Sequence, residues 1–202
     1  MLLHFRYIIH AGPAIGRYPV RTLILGGVRS GKSRYAEALA REVAGPIAVI
    51  ATGTALDEEM AVRIAAHRAN RPAHWSVIEE PIYLSTALMR VAAEHSVVIV
   101  DCLTLWLTNL LCHADSRLLA AESERLFAAL PELPGMQILV SNEVGLGIMP
   151  LVELARRFGD EAGALHQRLA TVCDRVVLMV AGLPLTVKDR MVGDHPPSRI
   201  VP

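Results

Sequence analysis

The sequence predicts an α/β fold, a mostly parallel central sheet covered by helices on both faces. Short aliphatic runs alternate with segments of helical composition along the chain, which favours parallel strands joined by helical crossovers. The first run ends in a glycine-rich loop that leads directly into a helix. The 202 residues, 52% hydrophobic and 20% charged, fit one sizeable domain around one buried core.

Arg21 to Leu25 is a short apolar run closed by a glycine pair, the pattern of a buried strand entering a tight turn. Ser33 to Val43 is rich in helix formers, with Tyr35, Leu39 and Val43 on one face. Pro46 to Ala51 reads as a second strand and Asp57 to Ala69 as a helix. Ser96 to Asp101 is a third strand whose unbroken aliphatic run suits burial on both faces. Leu118 to Leu130 and Leu151 to Val172 read as helices, Gln137 to Val140 and Val176 to Val180 as the remaining strands. Residues 1–20 read as a poorly ordered N-terminal extension, and residues 21–202 as a single domain. Arg6, His10 and Arg17 interrupt the apolar residues of the extension, unlike a signal peptide. No run is long enough to suggest a membrane span.

Charge narrows the partners. Twenty basic and twenty acidic residues cancel, leaving no electrostatic footprint for a nucleic acid or an anionic membrane. A small-molecule substrate is expected. Cys102, Cys112 and Cys173 show neither C-x-x-C nor metal-ligand spacing, and read as reduced thiols of a cytoplasmic protein.

The chemistry centres on Gly26-Gly27-Val28-Arg29-Ser30-Gly31-Lys32-Ser33, which meets the pattern G-x-x-x-x-G-K-[ST] between a predicted strand and a predicted helix. Glycines let the backbone wrap around phosphate, loop amides and the helix N-terminus face the anion, and Lys32 reaches the outer phosphates. Ser33 is placed to ligate Mg2+. The fold is thus expected to be a P-loop NTPase-like three-layer sandwich that binds a nucleoside triphosphate with Mg2+. Asp101, at the end of the third strand, is the candidate carboxylate for the metal or the nucleotide. Its alternative reading is a cap for the following helix.

Several further segments resemble one family: GGVRSGKSRYAEALA, IATGTALDEEM, RIAAHRANRPAHW, VDCLTLWLTNLL, SNEVGLGIMP and LARRFGDEAGALHQRLA. Together they resemble the bifunctional adenosylcobinamide kinase and adenosylcobinamide-phosphate guanylyltransferases of cobalamin biosynthesis. The resemblance implies phosphorylation of the aminopropanol hydroxyl of adenosylcobinamide, followed by GMP transfer from GTP onto adenosylcobinamide phosphate. It implies a guanylylated histidine at His67, nucleotide contacts at Ala51, Thr52 and Gly53, a further stretch at Arg68, Ala69, Asn70 and Arg71, and an acidic contact at Glu79. It also implies a symmetric homo-oligomer, a trimer, with sites near subunit contacts.

A neutral imidazole is a competent nucleophile toward phosphorus, and Arg63 lies one helical turn before His67 where it could offset phosphate charge. Read without the resemblance, His67 is more readily an exposed helix histidine among solvated arginines. Some relatives carry a second histidine where this chain has Ala66. His74 reads as a packing residue in preference to a backup nucleophile, and Trp106 as core or subunit interface rather than a corrin platform. Glu79 and Glu80 have a second reading as a solvated turn. Asn142 and Glu143, in a turn with Gly145 and Gly147, could meet the corrinoid side chain or the metal, or form only a turn. Arg156 and Arg157 could contact phosphate, with a solvated helix face as the default. Two other functions fit the loop: a small-molecule kinase without guanylyl transfer, and a GTP-dependent switch. The guanine-reading N-K-x-D motif of a switch is absent.

Overall fold

Aliphatic residues on both sides of a strand can be satisfied only by burying both faces, and the sheet does so. The computed structural model describes residues 20–54, 58, 62, 65 and 72–190. In chain order the elements are β1 (Val20–Gly26), α1 (Lys32–Arg41), β2 (Ile47–Ala51), β3 (Ser76–Glu79), α2 (Leu84–Ala92), β4 (Val97–Asp101), α3 (Leu103–Leu111), α4 (Leu118–Ala129), β5 (Met136–Val140), α5 (Glu153–Val172), β6 (Arg175–Val180) and β7 (Leu183–Asp189). They form a seven-stranded sheet of order β3-β2-β4-β5-β1-β6-β7. All neighbours pair in parallel except β6 and β7, an antiparallel hairpin at one edge.

Successive strand residues point to opposite faces, and the core divides accordingly. Ile24, Val49, Ile99, Ile138 and Val177 pack with Ala36, Leu39 and Ala40 of α1 on one face. Leu23, Ile50, Val98, Val100 and Leu139 pack with α2, α3, α4 and α5 on the other. This is the predicted three-layer sandwich. Tyr35 and Val43 flank the α1 cluster as half-buried partners, and the face of α1 that inserts is Ala36, Leu39 and Ala40.

Apart from the helix over 57–69, most of which lies outside the described residues, the predicted strands and helices are present with ends displaced by a residue or two. β1 starts at Val20, buried and paired with Met136, so the sheet takes in the last residue of the stretch read as extension. The last long helix begins at Glu153, because Val152 is extended and acts as its N-cap. Of the helix predicted over 57–69, the described residues Glu58, Val62 and Ala65 are helical.

β3, α2, α3 and β7 add to the predicted set. β3 is a half-exposed edge strand with no continuous apolar run. β7 contains Pro184, which argues against a strand, and is tolerated because β7 is an edge. α3, Leu103-Thr-Leu-Trp-Leu-Thr-Asn-Leu-Leu111, is apolar nearly all round and gives no helical period, because it is buried between the sheet and neighbouring helices.

Trp106 is the largest fully buried side chain, and its Nε1 donates to the Ile82 carbonyl at 2.8 Å. It is a core residue, as its aliphatic neighbours suggest. Trp106→Ala is expected to destabilise the fold by about 3–5 kcal/mol in urea denaturation, through the cavity and the orphaned carbonyl. A loss below about 1 kcal/mol would contradict a core role.

Candidate functional site

Parallel strands bring their C-terminal ends to a single edge, and the register arranges the predicted residues along it. Glu79 pairs with Ala51, Ala51 with Asp101, Asp101 with Val140, and Val140 with Ile24, two residues before the glycine loop. With strands roughly 4.8 Å apart, Asp101 stands about 10 Å from β1 along the edge and Glu79 about 19 Å. Glu79 therefore stands well away from the glycine loop along the edge.

The loop closes through tight backbone contacts. Gly26 has φ +149, and a Cβ there would stand 2.6 Å from the Met179 carbonyl oxygen, so no side chain fits. Gly31, at φ +97, occupies the cap position of α1. Ser30 donates its backbone N–H to Gly27 O, and its own carbonyl accepts from Gly182 N at 3.0 Å. The β6–β7 turn thus braces the loop from behind. Gly27, Val28 and Arg29 form the exposed crest, with Arg29 at φ 54 in the left-handed region.

Lys32 and Ser33 open α1. Lys32 is buried, and its Nζ donates to Gly26 O at 2.8 Å and Gly27 O at 2.7 Å. Burial pushes the pKa of this ammonium down, while Cys102 and Asp101 push it up. The charge is held against the loop carbonyls at the base of the crest. Ser33 Oγ lies 3.5 Å from Asp101 Oδ1, although α1 and β4 are distant in sequence. The tertiary fold therefore joins the two predicted metal ligands, hard oxygens of the kind Mg2+ prefers. Among the described residues no group of three or more His, Cys, Asp or Glu side chains could hold a metal. A magnesium carried mainly by nucleotide phosphates needs no such group.

The Ala51-Thr52-Gly53 turn serves the fold as well as the edge. Thr52 is fully buried; its Oγ1 donates to Cys102 O at 2.6 Å and accepts from Cys102 N at 3.0 Å. Its side chain is committed to locking the turn after β2 onto the turn after β4. Asn109 Nδ2 reinforces the lock by donating to Thr52 O and Pro81 O. Ala51 and Gly53 remain half-buried at the edge, so ligand contact in this turn falls to their backbone.

Glu79 is exposed, whereas the Glu80 carboxylate accepts from the Ile82 and Tyr83 amides and shapes the entry to α2. His74 is exposed and edge-on to Trp75 with ring centroids 6.5 Å apart. Its predicted packing role is limited to that surface contact. Arg156 donates to the Pro150 and Leu151 carbonyls, holding the approach to α5. His67, Arg63, Arg68, Ala69, Asn70 and Arg71 lie outside the described residues.

Asn109, Thr104, Ser141 and His166 were not legible as site residues. Each lies in a segment whose role depends on partners far away in sequence, and no local spacing announces it.

Residues 22–187 match the family model described as cobinamide kinase / cobinamide phosphate guanyltransferase. The chain belongs to this family. It is 56% identical over 169 residues to a protein of Pseudomonas aeruginosa named bifunctional adenosylcobalamin biosynthesis protein CobP, covering 84% of this chain and 98% of the relative. It is 41% identical over 179 residues to the bifunctional adenosylcobalamin biosynthesis protein CobU of Salmonella typhimurium, covering 82% and 98% respectively. Among solved structures, a prototypical ATPase from the type III secretion system of pathogenic bacteria shares the fold, with TM-score 0.54 and 11% identity over 86% of this chain and 57% of that one. The cobinamide kinase / cobinamide phosphate guanyltransferase match spans both the phosphate loop and residues 67–71.

Proposed function

We propose that this chain phosphorylates adenosylcobinamide with ATP or GTP and then transfers GMP from GTP onto adenosylcobinamide phosphate, giving adenosylcobinamide-GDP and pyrophosphate. The observation that carries this reading is the closure of Lys32, Ser33 and Asp101 around one loop end, in a chain of the cobinamide kinase / cobinamide phosphate guanyltransferase family.

In the first reaction the loop amides and α1 N-terminus hold the triphosphate, and Lys32 leaves the Gly26 and Gly27 carbonyls to meet the outer phosphates. Ser33 and Asp101 would hold Mg2+, which when bound neutralises charge on the transferring phosphate. In the second reaction the His67 imidazole attacks the α-phosphorus of GTP, the α–β bridging bond breaks, and pyrophosphate leaves. An oxygen of adenosylcobinamide phosphate then attacks that phosphorus, the P–N bond breaks, and the imidazole is released. Arg68 to Arg71, the Ala51–Gly53 backbone and Glu79 are the proposed further contacts of the nucleotide. The spacing of Glu79 from the loop supports a role away from the outer phosphates.

A homo-oligomer is part of this reading. Leu146, Ile148 and Leu151 stand almost fully exposed beside the site, the kind of apolar surface that a subunit contact covers.

The deciding experiment uses GTP labelled at either the α or the γ phosphate. Alpha label should become attached to the protein by an acid-labile, base-stable bond, and should be released onto adenosylcobinamide phosphate. Gamma label should pass to adenosylcobinamide. Transfer of γ label alone would reduce the protein to a small-molecule kinase, and GTP hydrolysis indifferent to cobinamide would favour a switch.

A further inference from the structure

The inner face of α5 is apolar at Ala162, Leu165 and Leu169, yet it carries a buried histidine, His166. A leucine would pack there, and a buried imidazole is costly unless it is bonded. His166 Nε2 lies 2.7 Å from Ser141 Oγ, Ser141 Oγ lies 3.3 Å from Thr104 Oγ1, and Thr104 Oγ1 accepts from Asn142 N at 2.7 Å. Running the protons from the Asn142 amide to Thr104, from Thr104 to Ser141 and from Ser141 to Nε2 uses each hydroxyl proton once. That direction leaves Nε2 unprotonated, and burial, which pushes the pKa of His166 down against the opposing charge of Glu143, agrees with a neutral ring.

The chain of hydroxyls ends at the chemistry. Thr104 lies in the first turn of α3, immediately after Asp101 and Cys102. β5 runs between β1 and β4, so the turn after it emerges between the phosphate loop and Asp101. Glu143 N donates to Gly26 O at 3.0 Å, the same carbonyl that accepts from Lys32 Nζ. Glu143 is therefore one shared acceptor away from the ammonium that meets the outer phosphates. Its Oε1 accepts from Gly145 N at 2.6 Å, which holds the carboxylate over its own turn.

We propose that His166 is a positioning residue for the phosphoryl-acceptor side of the site: through Ser141 and Thr104 it sets the Asn142–Glu143 turn beside the outer phosphates, where the corrinoid hydroxyl must approach. This rests on the cobinamide kinase reading. The turn serves the acceptor, so its displacement slows phosphoryl transfer without weakening the grip on the nucleotide.

The test compares His166→Leu, His166→Gln and Ser141→Ala in adenosylcobinamide phosphorylation, scored per folded protein by circular dichroism. His166→Leu and Ser141→Ala are expected to lower kcat about tenfold to a hundredfold, as a displaced turn misaligns the acceptor. The KM for nucleotide should stay within about threefold, because Lys32 keeps its Gly26 and Gly27 carbonyl acceptors when the turn shifts. His166→Gln, whose amide oxygen can accept from Ser141 Oγ in place of Nε2, should recover kcat to within about threefold of wild type. A wild-type kcat in His166→Leu, an equal fall in His166→Gln, or a loss carried by nucleotide KM would each overturn the proposal. If His166→Leu does not fold, Ser141→Ala decides alone, and a wild-type kcat there is equally fatal. No phosphorylation of adenosylcobinamide by the wild-type protein would instead overturn the functional reading, and this proposal with it.

Discussion

Lys32→Ala should abolish both half-reactions while leaving a folded protein. The ammonium is a positive charge bonded to two loop carbonyls, and both phosphoryl and guanylyl transfer build negative charge on a triphosphate held at the loop. Removing one such donor is expected to lower kcat/KM by roughly a thousandfold or more with either labelled nucleotide. Stability should change by no more than about 1 kcal/mol, because the lost bonds to Gly26 and Gly27 are offset by relief from burying a charge. Lys32→Arg is not expected to rescue, since a planar guanidinium does not present the compact point charge that Nζ places on the Gly26 and Gly27 carbonyls. Steady-state kinetics and thermal melts on the same preparations separate these effects. Wild-type turnover in Lys32→Ala would remove the loop from the mechanism.

His67→Ala should divide the two activities instead of abolishing both. Guanylyl transfer depends on the covalent intermediate, and loss of a nucleophile costs on the order of ten-thousandfold or more. Phosphorylation of adenosylcobinamide uses the loop, Lys32, Ser33 and Asp101, and should persist within several-fold of wild type. The variant should therefore accumulate adenosylcobinamide phosphate, and α-labelled GTP should leave no label on the protein. Retained labelling in His67→Ala would move the nucleophile to another residue, with His74 the next to be substituted. Loss of phosphorylation together with labelling would mean that the two reactions share more machinery than proposed.

The contrast between these variants reflects two kinds of information in the chain. The phosphate loop is local: Gly26, Gly31, Lys32 and Ser33 act within eight consecutive residues, so spacing alone announces them. β4 was legible for a similar reason, since Val97 to Val100 is an unbroken aliphatic run ending in a carboxylate. α3 and β7 were not, because the first is buried too completely to show a period and the second tolerates Pro184 only as an edge strand.

The sequence by itself determined the strand–loop–helix unit, the alternating α/β order and the residue types needed to grip a triphosphate. Only the tertiary structure decided that Ser33 would meet Asp101, that Thr52 would lock two turns together, and that His166 would reach Ser141. Hydrogen bonds of a few ångströms carry no trace in chain spacing when their partners are brought together by strand order. Here β5 lies between the loop strand and the Asp101 strand, so the sheet, built by burying aliphatic residues, also decides which polar groups meet at its edge.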